Sequence, residues 1–477
     1  MIVVLLIVFP LVAGLLSFFI KDEKHVKTWA LLSSVATLVV SFWSLTQPAV
    51  KLTYDAPWLQ MLNSRFTVSL DGMGKMLTLL TAVSFPIIFA STYSNKYKSS
   101  NAFYGFMLLT QAGLMGVFCA MDLLLFYFFW ELALIPAYFL CSKWGGEKRI
   151  AVTFKFFIYT FVGSLLMLVG ILFVHYRTPD QSFAFSSLQH LSLTSGEENF
   201  IFWLFFIAFA IKMPVFPFHT WQPDTYEQSP TAVTMVLSGV MVKMGVFAVV
   251  RWLLPIFPQA SLRMADIIMI LAVVGMIYAS LIAIRQDDIK RLVAYSSIAH
   301  IGLMAASMFT NNATGMQGVM FQMFAHGINI IGLWIVIDVI EQQTGTRKFS
   351  ELGGLAQRAP TLAILFVVMS FANIALPLTN SFIGEFLMFS SVFSHNMILG
   401  AVAGVSIILA AVYTLWMIQK VFYGDENGST AIAFQVPANT KLVLVILVII
   451  VIAFGVYPQP MMDLTNDTVS KLIAQIK

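Results

Sequence analysis

Charged side chains are scarce in this 477-residue sequence: Asp, Glu, Lys and Arg make up 10% of it, against about 25% in soluble domains. Hydrophobic residues make up 59%. The composition therefore predicts a polytopic membrane protein and argues against a globular enzyme with a large core. The net charge of +4 does not indicate a nucleic-acid partner, because the basic residues are spread over short loops.

Cysteine is almost absent as well. Cys119 and Cys141 both lie in apolar segments without a CxxC or histidine pattern, and we interpret them as buried free thiols. The chain has no cysteine quartet for an iron–sulfur cluster and no glycine fingerprint for a dinucleotide after a strand. Its histidines and acids lack close ligand spacing. The sequence thus predicts no metal site and nothing that binds NADH, flavin or haem.

No linker or low-complexity tract divides the chain. Residues 1–20 lack the basic start and the cleavage site of a signal peptide, so they are interpreted as a retained first helix. Apolar segments long enough to span a bilayer predict about fourteen transmembrane helices. The predicted spans are 1–20, 29–45, 76–93, 103–121, 122–142, 152–176, 200–218, 231–253, 265–284, 292–310, 315–340, 360–389, 395–422 and 440–458.

The Lys and Arg residues of the loops predict the orientation. Loops after odd-numbered spans hold sixteen of them: Lys21, Lys24, Lys27, Lys96, Lys98, Lys143, Lys148, Arg149, Arg285, Lys290, Arg291, Arg347, Lys348, Arg358, Lys420 and Lys441. The opposite loops hold six: Lys51, Arg65, Lys75, Arg177, Arg251 and Arg263. This bias predicts a multi-pass membrane protein with both termini outside the cytoplasm.

Reporter fusions test this orientation. A fusion after Lys98 and one after Arg358 are expected to report the cytoplasm, and one after His190 the outside, because basic loops are retained on the cytoplasmic side. The readout is a pair of enzymes that are each active on one side only. A periplasmic signal at Lys98 would overturn the topology.

Two predicted spans are interrupted by proline beside a buried charge. Lys212 lies well inside the span that starts at Phe200, and Pro214 and Pro217 follow it; a proline lacks the N–H of a regular helical turn. Irregular backbone at membrane depth requires a cover of protein or water, and discontinuous helices often form transporter sites. His219, beyond the second proline and near the membrane edge, is a further candidate residue.

The second interruption, at Pro377 before Glu385, suggests an internal repeat. Glu131 and Lys212 are 81 residues apart, and His300 and Glu385 are 85 apart. A unit of five helices would superimpose helix 5 on helix 10 and broken helix 7 on broken helix 12, and an odd number of helices inverts the second unit. The prediction is an all-α membrane protein with two inverted five-helix repeats.

The predicted organisation is one membrane domain, 1–477. Its parts are helices 1–3 at about 1–93, the first repeat at about 103–253, the second repeat at about 265–422, and helix 14 with the C-terminal tail at about 440–477.

Six titratable residues are predicted near the centres of spans: Glu131, Lys212, Lys243, His300, His326 and Glu385. Each of the four charged ones costs about 3 kcal/mol at a bilayer centre, roughly 12 kcal/mol in all, which is comparable with the stability of a whole domain. They must therefore be paired, hydrated or neutralised. The same six groups are able to pass on a proton.

A structural interpretation stands beside the functional one. Ion pairs that only hold helices together would explain the buried acids and lysines. The histidines would then be hydrogen-bonded packing sites, because His300 shares a helical face with Ser296, and His326 shares one with Gln322 and Asn329.

Several motifs, in order, resemble the antiporter-like subunits of respiratory complex I from about Asp71-Gly72 to helix 13. The motifs are Trp130-Glu131-Leu132, Lys212-Met213-Pro214, Phe218-His219-Thr220-Trp221 with Pro223-Asp224, Asp288-Ile289-Lys290-Arg291-Leu292, and Ala294-Tyr295-Ser296-Ser297. Within that group the sequence is most similar to the subunit M family, because the related subunits usually carry lysine where Glu385 stands. At the second interruption, Leu378 and Asn380 replace the small residues usual in the family.

The resemblance implies a redox-driven proton pump in which this subunit holds no cofactor. Partner subunits would carry FMN and iron–sulfur clusters and handle the quinone, and neighbouring antiporter-like subunits and membrane lipid would surround the chain. Glu131 and Lys212 would be a coupled pair, Lys243 with His300 and His326 a central relay, and Glu385 the exit-side acid. A subunit of a cation/proton antiporter or of a membrane-bound hydrogenase on the same scaffold is the alternative, and a purely structural membrane anchor is a third.

Overall fold

The structure is a computed structural model that describes residues 1–426, 430 and 434–476. Helices form almost all of it. In chain order they are α1 Ile2–Ser17, α2 Glu23–Leu45, α3 Gly72–Ser91, α4 Ser100–Cys119, α5 Leu123–Trp144, α6 Arg149–Arg177, α7 Phe185–Leu188, α8 Ser195–Lys212, α9 Trp221–Gln228, α10 Thr231–Ile256, α11 Pro258–Ile284, α12 Ile289–Met308, α13 Ala313–Thr344, α14 Leu355–Arg358, α15 Pro360–Asn373, α16 Asn380–His395, α17 Met397–Tyr423, α18 Ala438–Val456 and α19 Gln459–Ile476.

Ten of these helices, within the described part of the chain, are each long and apolar enough to cross a membrane alone. They are α2, α3, α4, α5, α6, α10, α11, α13, α17 and α18, and each coincides with a predicted span. The polytopic all-α prediction is confirmed. The other four predicted spans are shorter, more polar or interrupted helices, so the total of fourteen and the inverted repeats stay predictions.

The first predicted interruption is present between α8 and α9. Pro214 has no N–H for the carbonyl of Ala210, and Val215 N donates to that oxygen instead at 3.0 Å. The carbonyl of Ile211 accepts from Trp221 Nε1 at 2.9 Å. The broken segment is therefore covered by protein that takes up its free carbonyls, as buried backbone requires.

The second predicted interruption separates α15 from α16. Ala375 and Leu378 adopt left-handed backbone with φ of 58° and 73°, which is unfavourable for residues with a Cβ. Helix α18 crosses directly over this turn: a Cβ on Gly455 would lie 2.2 Å from the Leu378 carbonyl oxygen. Leu378 thus occupies a strained backbone position directly beneath α18.

Two elements were not predicted. Strands β1 Thr53–Leu59 and β2 Ser64–Ser69 form an antiparallel hairpin closed at Asn63 in left-handed backbone, so the all-α prediction is incomplete there.

The predicted C-terminal tail contains the amphipathic helix α19, whose Met461, Thr465 and Val469 are buried. Thr468 Oγ1 of α19 accepts from Gly72 N at 3.0 Å, which attaches the helix to the start of α3.

The loops after odd-numbered and even-numbered spans lie on opposite faces of the bundle. On the face with most Lys and Arg, here called the basic face, Trp144 Nε1 donates to Lys98 O at 2.6 Å. Gly146 N donates to Gln228 O at 2.7 Å on the same face. On the opposite face, Arg251 pairs with Asp71 at 2.7 Å. Which face meets the cytoplasm stays a prediction.

One apolar core runs through both halves of the chain. Helix α9 packs on α12, α10 packs on α13, and α3 also packs on α13. Helix α10 is buried along its whole length and α13 is buried from Gly315 to Ile340, although both are long and apolar enough to span a membrane. The polar residues of these buried stretches therefore face protein.

Candidate functional site

Lys243 lies at the centre of the bundle on α10 and is 0% exposed. Its Nζ donates to the carbonyl oxygen of Ser238 at 2.6 Å and lies 2.8 Å from Nδ1 of His326 on α13. The preceding residues, Leu237–Met241, form a π-helical turn, a type of bulge that is frequent at functional sites. The lysine thus has one fixed acceptor and one titratable neighbour.

The contacts continue from His326 to His300 and from His300 to Glu385. The rings of His326 and His300 are 5.6 Å apart between centroids. Nδ1 of His300, on α12, lies 2.8 Å from Oε1 of Glu385 on α16. All three side chains are buried. Four predicted site residues therefore form one series across the bundle: Lys243, His326, His300 and Glu385.

Amides and hydroxyls surround the Glu385 end of this series. Gln322 Nε2 donates to Glu385 Oε1 at 3.2 Å. Two turns further along α13, Asn329 Nδ2 donates to Asn380 Oδ1 at 2.9 Å and to Ser381 Oγ at 2.8 Å. These contacts tie α13 to the first turn of α16, just after the second interruption. The break therefore positions Glu385 against α12 and α13.

Glu131 and Lys212 lie close together but form no direct ion pair. Among the residues that the structure describes, no nitrogen–oxygen contact within 4.0 Å joins them, and neither Oε1 of Glu131 nor Nζ of Lys212 has a hydrogen-bond partner. Nζ of Lys212 lies 5.6 Å from the centre of the Trp130 ring, a cation–π contact. Lys212 is 1% exposed and ends α8 at the first interruption, so it cannot extend to water.

His219 is buried and apart from the central series. It is 2% exposed and lies between two aromatic rings, 5.7 Å from Phe216 and 5.3 Å from Tyr278. Its Nδ1 has no partner among the described residues. His219 thus lies in a protein interior formed by the first interruption and α11, and its place near the membrane edge stays a prediction.

Ion pairs on the basic face hold the helix that follows the first interruption. Asp224 of α9 accepts from Lys155 at 2.8 Å and from Arg291 at 3.0 Å, and Arg291 also pairs with Glu227 at 2.8 Å. Burial alone would raise the pKa of Asp224, but the two cations outweigh it and hold that pKa below its usual range. Arg347, in the loop after α13, pairs with Glu227 at 3.0 Å. Helix α9 is therefore fastened to α6, α12 and that loop.

The structure joins only some of the residues that the sequence singled out. The lysine of α10, both central histidines and Glu385 form one series, whereas Glu131 with Lys212 and His219 are separate places along the bundle. Sequence reasoning missed Asn373 and Tyr413 near His300, and the acids Asp224 and Glu227 as fasteners of α9. Asp224 and Glu227 are three residues apart on one helical face, a spacing that could have indicated a joint role.

Comparison with known proteins identifies the fold and the relatives of the chain. A membrane-domain family model described as NADH:quinone oxidoreductase/Mrp antiporter matches residues 120–410. NADH-quinone oxidoreductase subunit M of Rhodobacter capsulatus is 36% identical over 94% of this chain and 91% of the relative. The protein of that name from Escherichia coli K12 is 33% identical over 98% of this chain and 96% of the relative.

Two solved structures have the same fold over nearly the whole chain. A chain of respiratory complex I from Thermus thermophilus with bound NADH superimposes with a TM-score of 0.92 at 28% identity, and the match covers 100% of both chains. A chain of the Mrp complex from Dietzia sp. DQ12-45-1b gives a TM-score of 0.87 at 18% identity, covering 99% of this chain and 98% of the other. The second match supports the fold alone.

Proposed function

The chain belongs to the NADH:quinone oxidoreductase/Mrp antiporter family and within it to the antiporter-like subunit M group of respiratory complex I, and from this premise we propose that it carries protons through its buried Glu, Lys and His residues. The observation that carries the proposal is the contact series from Lys243 to Glu385. These titratable groups lie on four different helices around the second interruption. A structural ion pair would place a carboxylate beside the lysine, whereas the partners of Lys243 are a neutral carbonyl and an imidazole.

The central step is an exchange between Lys243 and His326. Their contact of 2.8 Å has room for one hydrogen: the ammonium donates to a neutral ring, or the amine accepts from it. A buried lysine changes its protonation readily, which suits it to such a relay. A proton accepted by His326 passes to His300 and then from Nδ1 of His300 to the carboxylate of Glu385. No covalent bond other than N–H and O–H bonds changes.

Glu131 and Lys212 act at the other end of the path. The Lys212 amine lies over the Trp130 ring without a carboxylate in contact. It can therefore be either an ammonium or a neutral amine. Approach of the Glu131 carboxylate would favour the ammonium, and its withdrawal into the observed separation would favour the neutral amine. We propose that this change of separation is the coupling step of the subunit.

Water completes the path in this proposal. Several buried polar atoms along it have no hydrogen-bond partner in the part of the chain that the structure describes, namely Glu131 Oε1, Lys212 Nζ, His326 Nε2, Gln322 Oε1 and Asn373 Oδ1. A buried polar atom without a hydrogen bond costs about 1–3 kcal/mol, so water is the natural partner for such atoms. Bound water would bridge the two histidine rings and the interval between Lys212 and Lys243.

Energy for pumping comes from outside the chain. We propose that NADH oxidation and quinone reduction take place in partner subunits that carry FMN and iron–sulfur clusters. Other membrane subunits, including neighbouring antiporter-like subunits, would transmit the change to Glu131. We place the assembly in the bacterial cytoplasmic membrane with the basic face inward, in keeping with the loop charges.

Glu131→Gln tests the first titratable group of the path. Glutamine keeps the size and polarity of the side chain but cannot ionise, so proton pumping and coupled quinone reduction are expected to fall by about tenfold or more. The measurement is acidification of membrane vesicles during NADH oxidation by the assembled complex. Glu147→Gln is the matched control, because Glu147 is exposed in a loop of the basic face.

The control is expected to pump like the wild type. Assembly of both variants is checked by NADH oxidation with a soluble artificial electron acceptor, which needs no proton path. Wild-type pumping by Glu131→Gln would assign Glu131 a structural role and remove it from the path.

A further inference from the structure

Asn373 is the last residue of α15, immediately before the second interruption, and is buried. Its Nδ2 lies 3.4 Å from Nε2 of His300 and donates to Ser296 Oγ at 3.1 Å. The hydroxyl of Tyr413, on α17, donates to the same Ser296 oxygen at 3.1 Å. The ring nitrogen of His300 that faces away from Glu385 is therefore in contact with a side-chain amide.

The favoured orientation of the Asn373 amide depends on how many protons the His300 ring carries. An NH₂ group donates, so it fits a neutral His300 whose Nε2 is bare and whose proton is on Nδ1, towards Glu385. When His300 carries a second proton, Nε2 becomes a donor and two donors face each other. The amide must then turn by half a rotation and present Oδ1.

Ser296 can serve as a partner in both orientations. Among the described residues, Oδ1 of Asn373 has no hydrogen-bond partner in the observed orientation, so turning the amide breaks no bond at that atom. A serine hydroxyl both donates and accepts. Ser296 accepts from Nδ2 in the observed state and can donate to Oδ1 in the turned state, while Tyr413 continues to donate to Ser296.

We propose that Asn373 is a positioning residue whose amide turns over when His300 gains its second proton, so that passage of a proton through His300 is coupled to a rotation at the end of α15. This inference rests on the proposed function. The proton that arrives forms one N–H bond and the proton that leaves breaks one, and Glu385 accepts the one on Nδ1. The interruption after Asn373 gives the residue a position that a continuous helix would not.

The other groups that face His300 define what the test must hold constant. Glu385 approaches from α16, His326 from α13 and the Tyr413–Ser296 pair from α17 and from α12 itself. Glu385 and His326 are themselves ionisable groups, so a pH profile of pumping contains contributions from all three side chains. A comparison between variants at position 373 leaves these neighbours unchanged.

Two substitutions of Asn373 separate the proposed role from packing. Asn373→Asp introduces a carboxylate that only accepts, which favours the doubly protonated, positively charged state of the His300 ring. Asn373→Leu has the same number and branching of side-chain heavy atoms and makes no hydrogen bond. In vesicles that carry the whole complex, Asn373→Asp is expected to pump about tenfold less at neutral pH and to recover as the pH rises. Asn373→Leu is expected to lose activity without a shift of the profile.

Ser296 provides the second pair of variants if the added acid prevents assembly. Ser296→Thr keeps the hydroxyl and is expected to pump close to wild type, whereas Ser296→Ala removes the group that serves both amide orientations and is expected to pump several-fold more slowly. Equal pumping by Ser296→Ala and Ser296→Thr would contradict the proposal. So would identical pH profiles for Asn373→Asp and Asn373→Leu.

A Glu385→Gln variant, measured in parallel, distinguishes this inference from the proposed function. If Glu385→Gln pumps normally, the relay itself is wrong. If Glu385→Gln fails to pump while the two Asn373 variants behave alike, the relay stands and only the role of Asn373 is rejected.

Discussion

Lys243→Met is expected to abolish proton pumping by an assembled complex. Methionine is an unbranched apolar side chain that fills the space of the lysine stem, so packing in this fully buried place changes little. What is lost is the amine that joins Ser238 O to His326 Nδ1, at 2.6 and 2.8 Å. A relay that loses its central titratable member is expected to slow by about a hundredfold or more.

Vesicle acidification measures this effect, with Lys148→Met as the matched control. Lys148 is an exposed lysine of the basic face, and its replacement is expected to leave pumping unchanged. A Lys243→Met complex that pumps at the wild-type rate would show that protons bypass α10.

Lys212→Arg and Lys212→Ala, compared side by side, have the second large expected effect. Arginine keeps a positive charge near Trp130 but stays protonated at every accessible pH, whereas alanine removes the charge. Moving a proton against the membrane potential takes about 2.3 kcal/mol per 100 mV, so a relay group must alternate between states that differ by a comparable amount. A guanidinium cannot alternate, and both variants are expected to lose pumping.

The two variants are expected to differ in assembly. Lys212→Arg retains the cation–π contact with Trp130 and is expected to assemble, although the larger head group must fit a site that is 1% exposed. Lys212→Ala leaves a cavity at the end of α8 and is expected to lower the amount of assembled complex. Recovery of pumping by arginine where alanine fails would show that a fixed charge is enough.

The two helix interruptions were predictable because a proline and a charged residue inside an apolar segment can be recognised in the sequence itself. Pro214 and Pro377 remove backbone donors at membrane depth, and Lys212 and Glu385 are too costly there without a role. Both interruptions are in the structure where the sequence predicted them. The contact between Lys243 and His326 was not predictable in the same way, since it depends on how α10 and α13 pack.

Three other features of the structure were harder to predict from the sequence. Asn373 is a single amide in an apolar span, and only the fold shows that it faces Nε2 of His300. The absence of a direct Glu131–Lys212 pair depends on side-chain separations that spacing along the chain cannot give. Helix α19 is amphipathic, but its apolar positions are interrupted by enough polar residues that it was interpreted as a tail.

The number of protons moved per NADH oxidised is the quantity that tests the account most directly. In sealed vesicles containing the complex with Lys243→Met, electron transfer is measured together with acidification, once with the membrane potential intact and once with it collapsed. The account predicts that any electron transfer that remains moves fewer protons per NADH than in the wild type under both conditions. An unchanged ratio at a reduced rate would contradict it, because Lys243 would then set the speed of the complex without lying on the proton path.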